Sequence, residues 1–144
     1  MMLRRNFLKW TTLVAASGAS GAAYAQSGEN KVVYHLDDRE KIAMALGNIQ
    51  NHFSAFGDGG QVVIALVVIG EPLGDFRLGA DAERTTAKLR GLVDKGLTPY
   101  ACSNTMAWLK LTLADLASGF QVADKGGVVK LAELQRRGYA YIRP

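Results

Sequence analysis

The sequence predicts an α/β fold: an open, three-layer, mostly parallel five-stranded sheet with helices on both faces. Three observations carry this. Gln61-Val62-Val63-Ile64-Ala65-Leu66-Val67-Val68-Ile69 is a run without charge, and a strand apolar on both sides belongs in the middle of a helix-covered parallel sheet. Strand-like and helix-like segments alternate along residues 31–142, the pattern of repeated βα units. Ile42, Ala45, Leu46, Ile49, Phe53 and Phe56 recur at spacings of three and four, which draws one apolar stripe down a helix.

The elements follow in order. Lys31-Val32-Val33-Tyr34-His35 is β-branched and aromatic and reads as the first strand. Asp37 with Glu40 three residues later resembles a capping box, in which the Asp oxygen accepts free amide hydrogens at a helix start. The first helix then runs to about Phe56, and Gly57-Asp58-Gly59-Gly60 ends it with residues that tolerate positive φ. After the second strand, Gly70-Glu71-Pro72-Leu73-Gly74-Asp75 reads as a loop at the carboxyl end of a central strand, where α/β folds place ligands. A second helix opens at Asp81 or Ala82, buries Leu89, Leu92 and Val93, and stops at Gly96. Leu97-Thr98-Pro99-Tyr100-Ala101-Cys102 is the third strand, with Pro99 near its start where a missing N–H is tolerated. Ser103, Asn104 and Thr105 offer caps for a short helix, Phe120-Gln121-Val122-Ala123 is a fourth strand, Val128 to Arg137 a last helix stopped at Gly138, and Tyr139-Ala140-Tyr141-Ile142 the fifth strand.

The N-terminus is organised differently. Arg4-Arg5-Asn6-Phe7-Leu8-Lys9, a soft apolar run from Trp10 to Ala22, and Ala23-Tyr24-Ala25 follow one another. That succession of charged, apolar and small-residue zones resembles a twin-arginine signal peptide over residues 1–25, cleaved after Ala25, and implies a periplasmic destination. Residues 26–30 are a polar linker, and residues 31–144 one domain. Arg4, Arg5 and Lys9 are three of the 17 basic residues and the first 25 positions hold no acidic one, so the remaining chain carries 14 basic against 13 acidic residues. The basic character thus belongs mainly to the signal and argues against a nucleic-acid partner. The mature chain is expected to have no membrane association. Cys102 is the single cysteine, so no intramolecular disulfide staples the domain, and packing or assembly must stabilise it.

Cys102 lies at a strand's carboxyl end just before a helix start, where free amides favour an anion and lower a thiol pKa. A thiolate attacks sulfur electrophiles or carries a persulfide; the other reading is a small buried hydrophobe. His35 and His52 are too far apart in sequence for a local metal motif, so no metal and no cofactor are expected. Glu71 and Asp75 could serve as acid and base beside the site, or be solvated loop carboxylates. Trp108 lines a pocket or an interface. No phosphate-binding loop, dinucleotide fingerprint or nucleophile elbow is present.

Val33-Tyr34-His35, Asn48-Ile49-Gln50-Asn51-His52, Cys102-Ser103-Asn104-Thr105, and the stretch from Gly127-Val128-Val129 through Leu134-Gln135 to Gly138-Tyr139-Ala140-Tyr141-Ile142-Arg143-Pro144 resemble the DsrE/DsrF-like sulfur-metabolism family. The resemblance covers residues 31–144. It implies a compact α/β subunit that forms a homo-oligomer, a trimer or hexamer, and a cysteine after the third strand that carries a persulfide to a partner protein. Cys102 matches that position, whereas the His-Gly pair that many relatives have after the second strand is Ile69-Gly70 here. The expectation is a periplasmic oligomer that binds or carries sulfane sulfur on Cys102, a carrier or at most a sulfurtransferase-like protein rather than an ordinary enzyme. Ser103, Asn104 and Thr105 would supply donors, with Glu71 and His35 as further binding residues and a sulfur donor or acceptor protein as partner. The alternative is a non-catalytic ligand-binding or structural oligomer whose cysteine is packed and inert.

Overall fold

The computed structural model describes residues 30–56 and 62–144. The signal expected over residues 1–25, most of the linker and the glycine turn at residues 57–60 lie outside the described residues. Five strands, β1 (Asn30–Leu36), β2 (Val62–Val68), β3 (Thr98–Cys102), β4 (Gln121–Ala123) and β5 (Ala140–Ile142), form one sheet in the order β4-β3-β2-β1-β5. Every pairing within it is parallel. The charge-free run is the central strand β2, as two-sided burial requires. β4 pairs with β3 only from Tyr100 onward, so Pro99 lies where β3 has no neighbour on that side.

Four helices complete the layers: α1 (Ile42–Phe56), α2 (Glu83–Asp94), α3 (Ser103–Leu109) and α4 (Gly127–Arg136). Alternate residues of each strand point to opposite faces. Val32, Tyr34 and Leu36 of β1 with Ile64, Leu66 and Val68 of β2 join Leu46 and Ile49 of α1, Leu89 and Leu92 of α2 and Met106 of α3 in the larger core. Val33, Ala65 and Val67 turn the other way and join Leu131 and Leu134 of α4 in a smaller buried cluster. One face therefore carries three helices and the other a single helix. No helix among the described residues is long and apolar enough to cross a membrane.

Three local expectations change. Asp38, not Asp37, caps the turn before α1, its Oδ1 accepting from the Glu40 amide at 2.9 Å. Asp37 is held instead by Arg143 after β5, at 3.1 Å from Nε and 2.7 Å from a terminal nitrogen. A forked pair with a guanidinium outcompetes a single amide. The segment after β2 is ordered as a 3-10 helix, Glu71–Phe76, which buries Pro72, Leu73 and Phe76 under the larger core. A further 3-10 turn, Ala80–Ala82, precedes α2, so the helix itself starts at Glu83.

Candidate functional site

Because all strands run the same way, all five carboxyl ends lie along one edge of the sheet. The chain leaves β3 into α3 on the larger-core face and leaves β4 into α4 on the opposite face. Adjacent parallel strands whose connections diverge to opposite faces leave a crevice between them, the position where open α/β sheets bind ligands. A cavity of about 340 Å³ occupies that place, lined by Ile69, Cys102, Asn104, Thr105 and Trp108 on one side and by residues 125–129 on the other.

Cys102 forms the floor, with 4% of its surface exposed. Its Sγ accepts a hydrogen bond from the Gly127 amide at 3.1 Å, and Gly127 is the first residue of α4. The sulfur therefore stands at the positive end of a ten-residue helix from a different part of the chain, as well as at the start of α3. Burial is the largest influence on the thiol and opposes its ionisation. The Thr105 hydroxyl and the amides of Thr105, Gly127 and Asn104 act against it, and together they bring the pKa below that of an ordinary thiol.

Thr105 is buried, and its Oγ1 accepts from the Gly70 amide at 2.9 Å. With a lone pair so engaged, the hydroxyl proton is free to turn to the sulfur, which links the end of β2 to the thiol. Thr105→Val keeps the shape and removes this oxygen. It should raise the pH midpoint of Cys102 alkylation, and leaving the Gly70 amide unsatisfied should cost about 1–3 kcal/mol of stability. Iodoacetamide rates against pH and urea unfolding measure the two effects. An unchanged alkylation profile would remove Thr105 from the site.

Two glycines shape the other wall. Gly126 has φ +92, and a Cβ there would meet Asn104 Nδ2 at 3.0 Å. At Gly127 a Cβ would lie 2.5 Å from Ile69 Cγ1, 2.7 Å from its Cδ1 and 3.2 Å from Cys102 Cβ. Only a residue without a side chain brings the α4 amide to the sulfur.

The residues expected at the site separate into two groups. Cys102, Asn104 and Thr105 line the cavity. Ser103 turns from it and donates to the Asp124 carbonyl at 3.0 Å, tying α3 to the turn before α4. Glu71 begins the 3-10 helix after β2 and does not line the cavity, and Asp75 accepts from Arg39 at 2.6 Å in a partly solvated ion pair. His35 also lies outside it, with Nδ1 2.7 Å from the Tyr141 hydroxyl beside the Asp37–Arg143 pair. Its pKa is lowered, by burial first; Asp37 opposes the shift and Arg143 adds to it. His52 meets Tyr34, Nδ1 to hydroxyl at 3.1 Å, away from the cavity. Sequence reasoning missed Ile69, Lys125, Gly126, Gly127, Val128 and Val129 as cavity residues. The Gly126-Gly127 pair before an apolar helical pattern was the available signal, since adjacent glycines at a helix start permit close approach of backbone to a neighbouring group.

No protein-family model matches the chain, and no curated protein matches it significantly. Solved structures do. MTH1491, a protein of unknown function from Methanobacterium thermoautotrophicum, superposes with a TM-score of 0.68 at 28% identity, over 79% of this chain and 98% of that one. The ychN protein from E. coli superposes with a TM-score of 0.64 at 12% identity, over 80% of this chain and 99% of that one. Each neighbour is spanned almost completely, and the covered share of this chain approximates its described domain. By its sheet order, its layers and these neighbours, the chain has a DsrE/YchN-like α/β fold.

Proposed function

We propose that this protein is a periplasmic, oligomeric carrier of sulfane sulfur, held as a persulfide on Cys102. The observation that carries the reading is the thiol at the floor of an open crevice, hydrogen-bonded by the first amide of α4 and with its pKa lowered. Loading is a displacement at sulfur. The Cys102 thiolate attacks the outer sulfur of thiosulfate, the S–S bond of the donor breaks, sulfite leaves with its electron pair, and an anionic persulfide remains on the protein. Unloading is the same step with an acceptor thiolate attacking the terminal sulfur. The amides that favour the thiolate also face the persulfide anion. Export rests on the twin-arginine resemblance, and a trimer or hexamer on the family resemblance.

A second reading, a ligand-binding or structural oligomer with an inert cysteine, draws on the slight exposure of Cys102. One experiment separates them. Protein recovered from the periplasm is incubated with polysulfide or thiosulfate and weighed intact. The expected species starts at Gln26 and gains mass in steps of one sulfur, with no gain in Cys102→Ser. A thiol that resists alkylation until the protein unfolds, with no adduct from either donor, would establish the second reading; a full-length periplasmic species would remove the cleavage claim.

A further inference from the structure

The walls of the Cys102 crevice specify more than a nucleophile. Ile69, Trp108, Val128 and Val129 line it, and Lys125 is the only cationic side chain among its lining residues. Two of the most exposed large apolar side chains among the described residues, Val128 at 72% and Trp108 at 63%, stand at its two sides on α4 and α3. A dianion entering here would lose hydration and meet one lysine and the few amides already directed at Sγ. A hydrocarbon group would remove indole and valine surface from water. At about 340 Å³ the space is at the small end of ligand clefts, suited to an aryl or short alkyl group.

We propose that the crevice selects apolar organic hydropersulfides, R–S–SH with a compact hydrocarbon R, over inorganic anionic donors, with Trp108 as the residue that sets the preference. This rests on the carrier reading of Cys102. In the step, the thiolate attacks the terminal sulfur of R–S–SH, the donor S–S bond breaks and R–S⁻ leaves. The new Cys–S–SH then gives its more acidic proton to R–S⁻, so that the products are the protein persulfide anion and the thiol R–SH. No oxidant or reductant is consumed.

The test compares sulfur loading from benzyl hydropersulfide and from thiosulfate by intact mass, each rate divided by that of the same donor with a small free thiol. The normalised ratio should favour the benzyl donor by about tenfold or more, the equivalent of about 1.4 kcal/mol, and should fall severalfold in Trp108→Ala. A normalised ratio near one, or one unmoved by Trp108→Ala, overturns the preference while leaving the carrier reading intact. If no donor loads Cys102, the carrier reading fails, and calorimetry of benzyl methyl disulfide with Cys102→Ser decides the crevice separately. Binding that weakens in the Trp108→Ala background supports its apolar selectivity; absence of binding overturns it.

Discussion

Gly127→Ala should loosen the start of α4 and raise the pH at which Cys102 becomes reactive. The added carbon would sit 2.5 Å from Ile69 Cγ1 and 3.2 Å from Cys102 Cβ, inside ordinary contact distance, so the helix start or the end of β2 must shift. Overpacking of this kind costs about 1–3 kcal/mol. The shift also carries the Gly127 amide away from Sγ, which it now reaches at 3.1 Å. Losing one of the donors that oppose the effect of burial moves the pKa upward. Urea unfolding and iodoacetamide rates against pH read the two consequences. Trimming the neighbour in Gly127→Ala/Ile69→Ala should return part of the reactivity, because the clash and not the helix propensity is responsible. If Gly127→Ala alone has wild-type stability and an unchanged alkylation profile, the close approach of α4 to the thiol is not what activates it.

Phe76→Ala should have a larger effect on stability, about 3–5 kcal/mol. Phe76 is wholly buried and packs edge-to-face on Phe120, ring centroids 5.5 Å apart. Its carbonyl accepts from the Ala117 amide at 2.9 Å, and the next residue, Arg77, bridges to Leu116. The side chain thus fastens the 3-10 segment after β2 to the segment before β4, and no disulfide reinforces the domain because Cys102 is its single cysteine. A domain of this size has about 5–15 kcal/mol in total, so the loss should be visible as a much lower urea midpoint with an unchanged slope. Leu113→Ala, at an exposed position, should stay within about 0.5 kcal/mol of wild type. A loss below about 1 kcal/mol for Phe76→Ala would show that this contact does not anchor the segment.

Most of the strands and helices were legible because their determinants are local. The stripe from Ile42 to Phe56 and the charge-free run at β2 state their periods within one element. The cap before α1 was misplaced by one residue for a long-range reason. Asp37 and Asp38 are equivalent acceptors in sequence, and Arg143, 106 residues away, takes the first and leaves the second for Glu40. Half of the site was legible in the same local sense. Cys102, Asn104 and Thr105 are neighbours in the chain, and a strand end followed by capping residues announces them.

Local patterning along the chain is enough to specify an α/β domain with five strands, a single thiol at the end of the third, and a balanced charge over residues 26–144. Where that thiol faces depends on how the elements pack. α3 and α4 leave the sheet on opposite sides, which opens the crevice between β3 and β4 rather than beside the loop after β2. The donor that reaches Sγ lies 25 residues along the chain, and Thr105 takes the Gly70 amide from 35 residues away. Periodicity records which side of an element is buried. It holds no information on which two elements converge, because that depends on packing among residues distant in sequence.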